Sequence, residues 1–546
     1  MKKILLVAVI LFIPSVAWLV QPGYFPMHDD LQAMRQLQLD KCFSDWQIPC
    51  RWVPDMGYSY GYPLFNFYPP LPYYIGQVVH WFGFSFTETV KVLGIMVFAV
   101  SAITMYLLAA EFFGSLGGML AAMIYLYAPY HSVDFYVRAA VNESWAMVWF
   151  PLIYWLTYKL IKNPAWMLVP WVAISVAALM LSHNPMLMIF VPTYMIWIFF
   201  WWIKFKSVSS FKYLLVSALW ALGLAAFFTL PVLVEQKYAH LETLVIGYFN
   251  YLAHFLDFRQ MFININWGYG SSVLGSEDTM SFAIGYLQWI VPLFIACILF
   301  FSKKLSHLRP MLILLLFLLA SSSFLTHSKA TWIWQHFQPL EFLQFPWRFL
   351  SLIIFFASFI SGAIVLISKK FIPIILMLLL LLNANYFRPR DWWPQANDQD
   401  RFSGENWRLQ LTSGIFDYLP IWGKLPPAGA PNGDIEFFHG SGTYERLQKN
   451  SNKQKYTIFA NLDSTIIVQT FYFPGWKIWI DGKQVSPEPL RDPEKIGRII
   501  IDVPAGIHEV SLKFVDTPVR LIANSLSFIS LLLLIIVYGR RKFKRS

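Results

Sequence analysis

The feature that most restricts this chain is its alternation of long apolar runs with short charged breaks. A helix needs about 20 apolar residues to cross a bilayer. About twelve such runs can be read, near 3–20, 86–110, 115–130, 143–160, 165–182, 185–203, 211–230, 280–301, 309–325, 345–367, 370–386 and 519–538. A chain that is 57% hydrophobic and 13% charged cannot hide that much apolar surface from water. The sequence therefore predicts an α-helical polytopic membrane protein with about 12 transmembrane helices.

The charges sort by side. With the N-terminus placed in the cytoplasm and the runs threaded alternately, the inner segments hold 17 basic residues, from Lys2 and Lys3 to Arg545, against one acid, Glu111. This is the positive-inside pattern. It explains the net charge of +11 without nucleic acid and puts both termini inside. MKKILLVAVILFIPSVAW also reads as a cleavable signal peptide with a small-residue site near Ala17, the less favoured alternative.

Residues 1–386 form the predicted membrane domain, and 21–86 its first extracytoplasmic loop. In that loop DDLQAMRQLQLDKCF has helical spacing and predicts an amphipathic helix on the membrane surface. GYSYGYPLFNFYPPLPYY, rich in aromatics and proline, suits the bilayer interface. Cys42 and Cys50 share the loop, where an oxidising compartment would permit a bridge; two free thiols is the other reading. Cys297 lies in a span and reads as a packing residue. Residues 387–518 alternate in short strand-like runs, with Asp481-Gly482 as a hairpin signal. They predict an extracytoplasmic β-sandwich, followed by a last span and basic cytoplasmic tail at 519–546. No phosphate loop, CxxC or HExxH occurs, so a nucleotide is not an expected ligand.

Chemistry must then come from the outer loops. Two carboxylates, Asp29 and Asp30, follow the first run directly in MHDDL. Sugar transfer to a hydroxyl needs a carboxylate to take the proton and positive charge on a departing phosphate. Asp29 is the candidate base, with Asp30 or Glu143 orienting the acceptor. Arg138 and Arg348 are candidates for a lipid phosphate, since arginine grips phosphate through two parallel bonds. His28, His183 and Arg259 are further substrate-binding candidates. Each has a plainer reading: Asp29 and Asp30 as helix caps, Glu143 as a span cap, the arginines as groups snorkelling to headgroups. A divalent metal on His28, Asp29 and Asp30 is not favoured, because consecutive residues rarely converge on one ion; no cofactor is expected.

Six pieces in order carry a resemblance: MHDDL, YVRAAVNES, SHNP at 182–185, QFPWRFL, FDYLPIW at 416–422, and FYFPGWKIWIDGK…VPAGIHEVSLKFVDTPVR. Together they resemble the 6-pyruvoyl-tetrahydropterin synthase-related multi-spanning membrane proteins, themselves similar to GT-C glycosyltransferases. The family name misleads, since a pterin synthase would need a histidine-built zinc site. The resemblance implies a polyprenyl-phosphate-linked sugar donor and an acidic residue of the first outer loop, which maps onto Asp29 or Asp30.

The leading expectation is thus an inverting GT-C-type transferase moving that sugar to an envelope glycan, lipid or protein, in a bacterial inner membrane. Its partners are then the lipid-linked sugar, an envelope acceptor and membrane lipids, with no nucleic acid. The rival is a non-enzymatic lipid-linked glycan carrier or flippase. Carriers place polar groups in mid-membrane, whereas here the ionisable residues collect in the loops. A membrane assembly factor docking through residues 387–518 is a third reading.

Overall fold

A computed structural model describes residues 2–275, 277–414 and 417–545, with backbone alone for 2–5 and 538–545. Phe416 of FDYLPIW and the side chains of Lys2, Lys3 and the basic C-terminal tail lie outside the described residues. The chain divides into two compact units, Met1–Gln32 with Thr87–Leu222 and Val245–Ala396, and Ala33–Phe86 with Gly223–Leu244 and Asn397–Ser546.

The first unit is helical. Leu350–Ser361 runs through its middle with every residue buried. Against it pack Arg309–Leu325, Tyr286–Ile298 and Val141–Lys162. Phe86–Leu126 breaks at Gly114, whose φ of 72° and ψ of 174° leave the helical region. Glycine alone takes that conformation without strain, which is why GSLGG divides the two expected runs. Each expected apolar run carries helix, yet only six helices among the described residues are long and apolar enough to cross a membrane. These are Phe86–Leu126, Asn184–Phe205, Val208–Tyr238, Lys303–Leu325, Pro346–Ile367 and Pro518–Val537. Their outer faces leave Ile196, Phe199, Leu219, Phe317 and Phe528 exposed. Large apolar side chains exposed along helices of this length suit lipid better than water.

The run expected as a span from 280 begins its helix only at Tyr286. Residues 281–284 are buried in non-helical form, with Ile284 N donating to Met261 O at 3.1 Å and Gly285 turning the chain at φ 97°. A short buried apolar run looks the same in either conformation.

Among its described residues the second unit holds eight antiparallel strands: β1 Ile435–His439, β2 Gly442–Lys449, β3 Lys453–Ala460, β4 Ser464–Phe471, β5 Trp476–Ile480, β6 Lys483–Val485, β7 Arg498–Val503 and β8 Gly506–Phe514. They form a three-stranded sheet, β1-β4-β7, and a five-stranded sheet, β2-β3-β8-β5-β6. The expected hairpin joins β5 and β6; Asp481 and Gly482 both have positive φ, 50° and 78°, as a two-residue turn of this hand requires. Residues 397–414 form the short helices Asp398–Arg401 and Gly404–Thr412 rather than strands.

The first outer loop departs from expectation. Trp52, Tyr60 and Phe67 enter the same core as Ile458, Val468, Ile478 and Leu512 of the strands. The loop's aromatics serve a protein core, and Ala33–Phe86 belongs with the β region rather than with residues 1–386. Gln32–Ser44 is helical, but Ala33, Met34, Gln36, Gln38 and Leu39 are all buried, so it is no surface helix. Cys42 and Cys50 form a disulfide. At its turn Gln47 accepts from the backbone N–H groups of Arg51 and Trp52 at 2.9 Å each.

Candidate functional site

Four of the sequence motifs meet in the helical unit. The backbone after the first helix runs alongside residues 137–139. His28 N donates to Val137 O at 3.0 Å and Asp29 N to Arg138 O at 3.1 Å. The Gln32 amide donates to Ala139 O at 2.7 Å. MHDDL is therefore stitched to YVRAAVNES, its backbone held alongside residues 137–139. His28 also donates through Nε2 to Tyr269 O at 2.8 Å. It is exposed, and Asp29 and Asp30 are half-buried.

Below this segment lies a buried ionic cluster. A π-helical turn at Val133–Val137 and the start of Val141–Lys162 supply Asp134, Arg138 and Glu143. Arg138 donates to Asp134 Oδ1 and, at 3.1 Å, to Glu143 Oε2. The same oxygen receives Arg348 Nε at 3.3 Å. The other carboxylate oxygen of Glu143 accepts from the Tyr130 hydroxyl at 2.5 Å. Glu143 is 1% exposed and both of its oxygens are engaged. It holds two arginines in place, which leaves it badly disposed for the expected task of orienting an acceptor.

Arg348 stands on the turn Pro346–Phe349 that opens the central helix. Besides Glu143 it donates to Leu343 O at 2.5 Å and Gln344 Oε1 at 3.1 Å. In this cluster two arginines face two carboxylates, so each buried guanidinium has an acidic partner, as burial demands. Its arginines keep a little exposure, 12% for the Arg138 side chain and 8% for Arg348.

SHNP reaches the same place. Asn142 Nδ2 donates to Ser182 O at 2.9 Å, and Trp149 Nε1 to Ser182 Oγ at 2.9 Å. His183 caps the following helix by accepting from Met186 N at 3.2 Å. It lies near enough to act electrostatically on Glu143 and Arg348. Arg259 is not part of this group. It is exposed on the short helix Phe258–Phe262 and lines a half-open depression with Asp257, Gln260, Asn264 and Asn266.

Several participants had no sequence signal. Trp347 lies under the Arg138 guanidinium, 4.3 Å from carbon to ring centre. Phe345 stacks on Trp347 at 4.7 Å and meets Tyr248 at 5.9 Å and His254 at 4.7 Å. His254 donates to Tyr248 O at 2.5 Å and accepts from Ser272 at 2.8 Å. Burial lowers its pKa, opposed by the bond to Tyr248. His131, fully buried, is pushed down to about 3 by burial and is a neutral packing group. Among the described residues no set of three His, Cys, Asp or Glu side chains is placed to hold a metal ion.

The arrangement brings the backbone of the half-buried Asp29–Asp30 segment next to residues 137–139, while Arg138 and Arg348 share Glu143 and Arg138 lies over the Trp347 ring. No family model matches the chain. Among curated proteins it is similar to an uncharacterised protein of Lactococcus lactis subsp. cremoris (strain MG1363), 24% identical over 215 residues, or 37% of this chain. The match spans 34% of that protein, about a third of its length.

Proposed function

We propose that this chain is an integral membrane glycosyltransferase of GT-C-like design. It moves a sugar from a polyprenyl-phosphate donor to an envelope glycan, lipid or protein on the extracytoplasmic face. The observation that supports this most is the bond from Asp29 N to Arg138 O. It runs the backbone of the acidic segment alongside that of Arg138, which supports a pairing of a carboxylate that accepts a hydroxyl proton with a guanidinium that meets a phosphate. Asp29 acts as base and Asp30 orients the acceptor. Arg138 and Arg348 stabilise charge growing on the leaving phosphate, and Glu143 fixes their positions. In this reading about twelve spans thread a bacterial inner membrane with both termini in the cytoplasm. The C-terminal sandwich faces outward and shapes the acceptor side. No metal is invoked.

The reading is tested by mass spectrometry of envelope glycans and lipids from a strain lacking the protein. A sugar lost on deletion and restored by the wild-type chain is the expected result. An unchanged profile would overturn it in favour of a carrier or an assembly factor.

A further inference from the structure

The five-stranded sheet carries an arrangement that sheet stability alone disfavours. In the β3–β8 ladder Lys453 stands opposite Lys513, and in the β8–β5 ladder Lys513 stands opposite Lys477. Paired residues in an antiparallel ladder share a face, so three ammonium groups form one row across three neighbouring strands. All three are exposed, whereas their strand neighbours Gln454, Leu512 and Ile478 point into the core. Like charges directly opposite one another are destabilising. One row further along, the sheet resolves its charge, since Lys455 pairs with Glu509 at 2.7 Å. Among the described residues, Lys453, Lys477 and Lys513 have no such acid within ion-pair distance.

The row sits at a particular end of the sandwich. Phe514 N donates to Asn452 O and Val515 N to Gly475 O, each at 2.9 Å, which closes the sheet just beyond the lysines. Five residues after Lys513 the last helix, Pro518–Arg545, begins. Its first turn is pressed on the sheet end, with the Arg520 guanidinium 4.9 Å from the Phe514 ring. The nearest acid in sequence, Asp516, is turned to Arg51 and Asn524. Residues 518–537 are apolar, with only 11% of their most apolar window buried, as a lipid-facing span would be. The lysine row therefore lies beside the point where the chain enters the membrane.

We infer that Lys453, Lys477 and Lys513 form a docking face for anionic lipid headgroups, which seats the β-sandwich on the bilayer. Basic residues near an anionic surface each gain about 1 kcal/mol, and the attraction fades within a Debye length. Headgroup phosphates would relieve the repulsion that the bare row carries.

The test uses the full chain in nanodiscs of phosphatidylcholine or phosphatidylglycerol, with lysine acylation rates read by mass spectrometry. Acylation of the three lysines is expected to slow about threefold or more in phosphatidylglycerol. Exposed Lys424, Lys483 and Lys495 serve as controls and should not change. Equal rates in both lipids would overturn the inference. So would protection given only by soluble poly(glycerol phosphate) in phosphatidylcholine discs, which would assign the row to an anionic polymer. In a second measurement, any rise in melting temperature in phosphatidylglycerol should vanish in the K453Q/K477Q/K513Q chain; a rise that persists contradicts the inference. If that chain fails to fold, the wild-type acylation rates decide alone.

Discussion

Each unit of the molecule sets two buried arginines against two carboxylates, and the two clusters are built to different ends. In the helical unit Asp134, Arg138, Glu143 and Arg348 meet beside an aromatic wall and the half-buried MHDDL segment. In the second unit Arg51, Glu235, Asp516 and Arg520 are wrapped by amides and hydroxyls. Arg520 donates to Glu235 at 2.9 Å, Thr517 to the same carboxylate at 2.6 Å, and Asn66 at 2.9 Å. Arg51 donates to Asn524 at 2.8 Å and to Phe227 O at 2.9 Å. Arg520 is 0% exposed and the Arg51 side chain 3%, against 12% for Arg138. A cluster sealed by its own hydrogen bonds ties chain segments together. One left with a partly open arginine and neighbouring carboxylates can still meet a ligand.

The largest expected effect comes from opening the sealed cluster. Glu235→Ala strands the buried Arg520 guanidinium, and unpairing a buried ion costs about 3–5 kcal/mol. The folded yield after detergent extraction should collapse. A normal yield would show that this cluster is as tolerant as the other. Glu143→Gln should cost less, about 1–3 kcal/mol, because the amide still accepts from the arginines and Asp134 remains. Folded yield should stay measurable while the glycan product is lost. Equal destabilisation by the two substitutions would erase the distinction between the two clusters.

A smaller effect is expected from Trp347→Leu. It removes the ring beneath Arg138 and the stack on Phe345, contacts worth about 1 kcal/mol each. Product formation should fall by about tenfold, with little change in yield; an unaltered rate would make the aromatic wall irrelevant to the site.

The smallest effect sits on the β5–β6 turn. His508 Nδ1 lies 2.6 Å from Asp481 Oδ2, and this bond raises the imidazole above its ordinary value. Stability from a raised histidine is whole below its unfolded value of about 6.5 and is lost as pH climbs through the folded value. The melting temperature should therefore drop slightly over that window, and His508→Gln should remove the drop. The pair is partly exposed, so a large drop would be unexpected.

The same contrast runs through what the sequence reveals. The ion cluster of the helical unit was largely legible, because MHDDL, YVRAAVNES, SHNP and QFPWRFL each place polar residues at the end of an apolar run. Asp134 escaped notice because its bond to Arg138 needs the helical turn at Val133–Val137, which a stretch between two apolar runs does not announce. Nothing in the sequence sets Trp347 and Phe345 apart from the chain's many other aromatics. The sealed cluster was not legible at all. It joins residues 51, 66, 235 and 520, and no local periodicity reports on partners so far apart. Trp52 and Tyr60 failed for the same reason: their core partners in the strands lie some 400 positions away in the chain. The turn at Asp481-Gly482 was readable because its chemistry is confined to neighbouring residues.

The most direct test of the central claim compares Asp29→Asn with Asp30→Asn in the deletion strain, scoring envelope product by mass spectrometry against the amount of folded protein. The account predicts that Asp29→Asn loses product by about 100-fold or more at unchanged protein level, since asparagine keeps the size of this half-buried side chain. Full product in both variants would contradict the assignment of a base to MHDDL, and with it the transferase reading.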